Sequence, residues 1–232
     1  DVGFAGMDWV AEKRLELHEV LDTGLDPVRI VVAAPRELVG PGGELPRESP
    51  FGGPLRVASE LEQLSRGWIA RRHPDARFVR TYGATEVFPP EDADVIVDVT
   101  QTGATLEANG LLIVDELMTS STRLFASRPA MEDPETRERI EDLETLLKSV
   151  LAGRLRVMLE VNVTADKLDA VVDALPAMRH PTISKLHGRS GTDPGYAVKA
   201  AVLRTQLPRL IPELRARGGT DLVVSPLAQV VP

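Results

Sequence analysis

Asp94-Val-Ile-Val-Asp98-Val-Thr-Gln-Thr-Gly-Ala-Thr105-Leu106 is the stretch on which the reading of this chain turns. An apolar, β-branched run delivers Asp98 to the end of a buried strand, and a short loop leads into a helix expected over Thr105–Asn109. That arrangement suits a phosphate monoester. The backbone N–H groups of Gln101, Thr102, Gly103, Ala104 and Thr105 point at the anion, and Thr102 and Thr105 add hydroxyls. Gly103 lets the backbone approach the oxygens. Asp98 would repel phosphate and is better placed to accept from ribose hydroxyls. The same string also suits an ordinary strand–turn–helix with a capping threonine.

Strands are expected on both sides of this stretch. Val28–Ala34, Leu55–Ala58, Ala76–Thr81 and Leu111–Met118 are short apolar runs, and Thr122–Ala126 is another. Ser59 reads as the cap of a helix to about Arg72, with Glu62 in the capping-box position. Strands alternating with helices imply a largely parallel α/β sheet. The chain opens on Asp1-Val-Gly-Phe-Ala-Gly6, the end of a strand running into a turn, so a fragment whose sheet partners lie upstream is expected. Asp8 follows as a plausible cap for a helical turn. Asp133-Pro134 starts a long helix that Gly153 should end. Beyond it, Leu155–Val163, Thr164–Leu175, Thr182–Leu186, Ala197–Leu203, Pro208–Arg217 and Leu222–Ser225 spell βαββαβ, a ferredoxin-like α+β pattern. Pro212 is tolerable there only near a first turn. The expected domains are therefore 1–153 and 154–232.

The 232 residues are 43% apolar and carry a formal net charge of −8, which argues against a general nucleic-acid binder. No apolar run approaches the ~20 residues of a membrane span. Cysteine is absent, which excludes disulfides and thiolate chemistry and fits a reducing cytoplasm. The four histidines show no paired ligand spacing, so no metal site is expected from protein ligands alone.

Residues 94–110 resemble the phosphoribosyl pyrophosphate signature of the long-form ATP phosphoribosyltransferases. Further blocks resemble the same family in the same order: Asp1-Val-Gly-Phe-Ala-Gly-Met-Asp-Trp-Val10, Arg56-Val-Ala-Ser-Glu60, Tyr82-Gly-Ala-Thr-Glu86, and Met158-Leu-Glu-Val-Asn162 with Pro181-Thr-Ile-Ser184. The resemblance implies a two-lobed catalytic part like a periplasmic binding protein, lacking the N-terminal part of its first domain, plus a regulatory C-terminal domain. It implies transfer of phosphoribosyl from phosphoribosyl pyrophosphate to an adenine ring nitrogen of ATP, with Mg2+ on the diphosphate. Asp8 and Glu86 match acidic positions of the nucleotide cleft. Glu160, Thr182 and Leu222 match positions around a histidine-inhibitor site. Histidine and AMP are the implied inhibitors, and dimers and hexamers the implied assemblies. No general base is identified. The alternative is a truncated or regulatory paralogue that binds histidine or nucleotide without chemistry.

Overall fold

The structure is a computed structural model that describes residues 1–178, 180–188 and 194–231. Its contacts group residues into two compact units, 1–140 and 141–232. The first is built on six strands: β1 (Val2–Gly6), β2 (His18–Pro35), β3 (Arg56–Ser59), β4 (Arg77–Arg80), β5 (Val95–Thr100) and β6 (Leu111–Ala126). Their spatial order is β1-β6-β2-β5-β3-β4. The sheet is mixed, which corrects the largely parallel reading. β1–β6, β6–β2 and β2–β5 run antiparallel, and only β3 with its neighbours β4 and β5 is parallel. The strand–helix alternation is thus a local feature of residues 55–108. Two long strands, β2 and β6, carry the rest of the sheet.

Both long strands were visible only in pieces. β2 has 18 residues and β6 has 16, paired from His18 opposite Ala126 to Pro35 opposite Leu111. The register shifts several times between Glu19 and Val28, where Gly24 and Asp26 both hold positive φ. Asp22-Thr-Gly-Leu-Asp-Pro27 is rich in turn-type residues, yet it is bulged strand. Thr23 donates to the Thr122 carbonyl at 2.5 Å and Ser121 to Asp22 at 2.6 Å, tying the bulge down.

The buried strands are coated on both faces. Ile30, Val32, Val57, Val95 and Val97 pack against Leu61, Trp68 and Ile69 of the segment around α2 (Glu62–Arg72). Val31, Ala33, Ala58 and Ile96 pack on the other face against Leu106 of α3 (Ala104–Ala108) and Leu111. Each fully buried aliphatic side chain contributes about 1.5–3 kcal/mol.

Ser59 does not cap α2. Its hydroxyl donates to Val97 O at 2.6 Å and accepts from Leu61 N. The free amides of α2 are taken instead by a distant residue. Buried Glu12, from α1 (Met7–Glu12), accepts from Gln63 N at 2.9 Å and Leu64 N at 3.1 Å. At the other end of the parallel strands, fully buried Asp94 takes Arg56 Nη2 at 2.9 Å and Ser49 Oγ at 2.9 Å. Burial pushes the Asp94 carboxyl up, but the Arg56 and Ser49 hydrogen bonds outweigh it and hold it below the usual carboxylate range.

A short α4 (Arg128–Glu132) precedes α5 (Pro134–Leu155), which Asp133 caps by accepting from Thr136 N at 2.9 Å. α5 continues past Gly153. A Cβ there would meet Ala228 O at 2.9 Å, so this glycine serves a close backbone approach and not a helix stop. The second unit holds a four-stranded antiparallel sheet in the order β10-β7-β9-β8, from β7 (Arg156–Val163), β8 (Thr182–Lys185), β9 (Tyr196–Leu203) and β10 (Thr220–Pro226). β7 alternates strictly, burying Val157, Leu159, Val161 and Val163 beneath α6 (Leu168–Ala174) and α7 (Leu207–Ala216). Pro212 sits inside α7, not in its first turn. It lies on the exposed side, opposite buried Leu210 and Leu214, so the carbonyl left without a partner can face water. Among the described residues no helix is long and apolar enough to cross a membrane.

Candidate functional site

Asp98 and Thr100 fall on the α3 face of the sheet, because they lie two and four residues along β5 from buried Ile96. Asp98 is half-buried, and one of its oxygens accepts from Val99 N at 2.8 Å. Burial pushes its carboxyl up, the Val99 amide opposes this, and the negative charges of Glu86 and Glu60 push it further up. Glu86 lies on the turn Thr85–Val87, after Ala84 at positive φ, and the turn is pinned by a buried contact between the Thr81 and Thr85 hydroxyls at 2.9 Å. Glu60 had not been singled out, since only the fold brings the end of β3 beside β5.

The loop is shaped by its own threonines. Thr100 Oγ1 accepts from Gly103 N at 2.9 Å, and Thr102 Oγ1 accepts from Ala104 N at 3.3 Å. Two of the five amides expected to face a phosphate are therefore already engaged. The amides of Gln101, Thr102 and Thr105 make no hydrogen bond to the described residues, nor does the Thr105 hydroxyl. Gln101, Thr102, Ala104 and Thr105 are exposed, so the junction has an open face. Gly103 itself is buried at φ +85°, and a Cβ there would lie 3.3 Å from Ile113 Cδ1. Backbone conformation and packing thus demand glycine at this position. Asp98, Glu86, Thr100, Gln101, Thr102 and Thr105 line one cleft of about 440 Å³.

A cation approaches from the neighbouring strand. Arg29 of β2 lies opposite Thr100, and its Nη2 is 4.0 Å from the point a Gly103 Cβ would occupy. It is half-exposed and bonded to Glu116 at 3.4 Å. In sequence it is only one arginine inside Val28-Arg-Ile-Val-Val32, and the fold alone sets it opposite Thr100.

Asp8 is not among the residues lining this cleft, and it is not a helix cap either. It sits in the first turn of α1, whose N-cap is Gly6, and its carboxylate accepts from Ser120 Oγ at 2.6 Å while its amide donates back at 3.0 Å. In the second unit Glu160 and Thr182 share one row of the sheet face turned away from the helices. Both pair with Lys199 of β9, whose ammonium is 2.9 Å from Glu160. Leu222 packs against the cluster on the opposite face, and so is not brought to that row. Among the described residues no three His, Asp or Glu side chains converge as metal ligands. His73 stacks on Trp68, and burial, then Arg72, pushes its imidazole below the usual range.

A family model described as ATP phosphoribosyltransferase matches residues 1–149, and one described as HisG, C-terminal domain, matches residues 154–229. An ATP phosphoribosyltransferase of Pelotomaculum thermopropionicum is 34% identical over 237 residues, covering 100% of this chain and 78% of the relative. That of Koribacter versatilis is 36% identical over 236 residues, with the same coverage. Among solved structures, the ATP phosphoribosyl transferase (HisG:HisZ) complex of Thermotoga maritima superposes with a TM-score of 0.52 at 26% identity, over 62% of this chain and 67% of that one. The chain belongs to the ATP phosphoribosyltransferase family, transferases of histidine biosynthesis.

Proposed function

We propose that the cleft at the end of β5 holds the 5-phosphoribosyl group of phosphoribosyl pyrophosphate while an adenine ring nitrogen of ATP attacks the anomeric carbon and pyrophosphate leaves. The observation that carries this reading is the open face of loop 101–105, with the amides of Gln101, Thr102 and Thr105 unengaged, a free Thr105 hydroxyl, and Arg29 beside Gly103. Thr102 Oγ1 accepts from Ala104 N, which leaves its proton available to donate to a phosphate oxygen. Asp98 and Glu86 line the same cleft and accept from ribose hydroxyls or the adenine amino group. Such a displacement needs two reactants held in line and charge stabilised on the leaving group, more than it needs a proton shuttle.

Mg2+ prefers phosphate oxygens, water and one or two carboxylates to an all-protein cage. A donor set of two half-buried carboxylates fits a metal carried on the diphosphate, where it would neutralise the leaving group's charge. In fold terms, residues 1–153 belong to the catalytic part, two-lobed like a periplasmic binding protein, and 154–232 make a ferredoxin-like regulatory domain. The strand order β10-β7-β9-β8 with two helices on one face supports the latter. Histidine binds this domain, with its carboxylate on Lys199 and its amino group on Glu160, beside Thr182, while Leu222 packs in the core beneath that face. AMP competes at the catalytic cleft. The enzyme works in the cytoplasm as a homo-oligomer.

Thr105→Ala tests the loop. It removes one hydroxyl donor to a charged acceptor, so the KM for phosphoribosyl pyrophosphate rises about tenfold while the thermal midpoint holds. An unchanged KM would remove the loop from the substrate site.

A further inference from the structure

A cavity of about 500 Å³ opens at the edge of the first sheet opposite the loop 101–105. β2 ends there at Pro35, β6 begins there at Leu111, and Asp94 stands just before β5, whose far end leads into that loop. Four prolines line it, Pro35 and Pro50 with Pro89 and Pro90, together with Leu38 and Phe51. The Phe51 ring is 69% exposed, an apolar group that folding leaves in water. Small-molecule pockets typically run about 300–1,000 Å³, mostly apolar with a few polar groups that fix orientation. This cavity falls in that range and has room for a bicyclic ring.

Its polar groups lean one way. Proline has no backbone N–H. The amides of Phe51, Asp94, Asn109 and Gly110 are bonded to Ser49 Oγ, Arg56 O, Thr105 O and Glu107 O. Asn109 donates its Nδ2 to Thr105 O at 2.9 Å, and its Oδ1 accepts nothing from the described residues. The Asp94 carboxylate is taken up by Arg56 and Ser49. Arg56 lies over the Phe51 ring, 5.5 Å from its centroid, and gives its other donors to Pro90 O and Glu91 O. Glu37, also in the lining, is exposed and makes no ion pair with the described residues. What remains is an unpaired carboxylate and an amide oxygen beside an apolar floor. Such a lining complements a cation that carries N–H groups and opposes an anion of the same size.

We propose that this cavity is a binding site for a small aromatic amine, with the ring on the prolines and Phe51 and the ammonium on Glu37. The site lies apart from the phosphoribosyl cleft, and the inference stands without that reading. Calorimetric titration of the chain with tryptamine and with indolepropionate, which share a ring and differ in the charge of the tail, tests it. The unsubstituted chain binds tryptamine saturably and does not bind indolepropionate. Glu37→Gln weakens tryptamine about threefold, as loss of an exposed ion pair does. Glu37→Lys reverses the preference, so that indolepropionate binds and tryptamine does not. Phe51→Ala weakens tryptamine about fivefold through the lost ring contact. Glu37 is exposed, so both of its variants keep the parent melting temperature, which separates lost binding from lost folding. Neither ATP nor phosphoribosyl pyrophosphate displaces tryptamine; displacement by either would put the amine in the substrate cleft and overturn the proposal. Absence of saturable tryptamine binding, equal binding of the two probes, or an affinity unmoved by both Glu37 substitutions overturns it as well.

Discussion

At the scale of single residues, Asp98 sets function against stability. Burial and the Glu86 and Glu60 charges raise its pKa in the folded chain, so folding favours its protonated form. The penalty is absent below the unfolded pKa, grows as pH rises through it, and is complete above the folded pKa. Asp98→Asn should therefore raise the melting temperature at about pH 7 and leave it unchanged near pH 3. Phosphoribosyl pyrophosphate binding should fall about tenfold or more. A melting-temperature series across pH, paired with calorimetry, checks both halves. Asp98, Thr102 and Thr105 were legible in sequence because a strand, a loop and a helix start lie in one contiguous string. Arg29 and Glu60 were not, since strand pairing brings them there from 71 and 38 residues away. Asp8 illustrates the converse. It was read as a cap or a cleft acid, while its carboxylate is held by Ser120, a partner 112 residues on.

At the scale of elements, helix ends show the same division between local and distant. Asp133 caps α5 as its sequence position indicates, because the bond spans three residues. α2 is capped from another helix altogether. Glu12→Ala should destabilise the chain by about 1–2 kcal/mol, visible as a lower denaturation midpoint with unchanged slope. Arg56→Ala should cost more, about 3 kcal/mol, because it leaves the fully buried Asp94 carboxylate without its cation. Asp94 has a depressed pKa, so the stability it supplies is present above the unfolded pKa and is lost as pH falls through the folded one. The difference between Arg56→Ala and the parent chain should therefore shrink in acid. β2 was underestimated in length because Gly24 and Asp26 are turn-type residues, and β6 because Thr119-Ser-Ser121 interrupts its apolar run; only the pairing of the two strands reveals a bulged ribbon.

At the scale of the molecule, two units of different architecture divide the chain near residue 140, within α5. The ββ-rich second unit has a core of its own, built from alternating β7 and β9 side chains beneath α6 and α7. That separation predicts a separable task. Deleting residues 154–232 should abolish the response to histidine in a turnover assay, and inhibition that survives would move the sensor into the first unit. The alternation of β7 made this second sheet readable from sequence. The mixed character of the first sheet was not, because antiparallel and parallel buried strands carry similar apolar strings.

The β2–β6 ribbon has one more implication. It is the shared member through which the β1–α1 end of the first sheet joins the β3–β4–β5 end, and it is irregular at residues 19–28. The two ends are therefore fastened twice: through the ribbon, clasped by Thr23 on Thr122 and by Asp22 on Ser121 and Arg123, and directly by Glu12 of α1 on the amides that open α2. Cutting either fastening by substitution leaves the other in place.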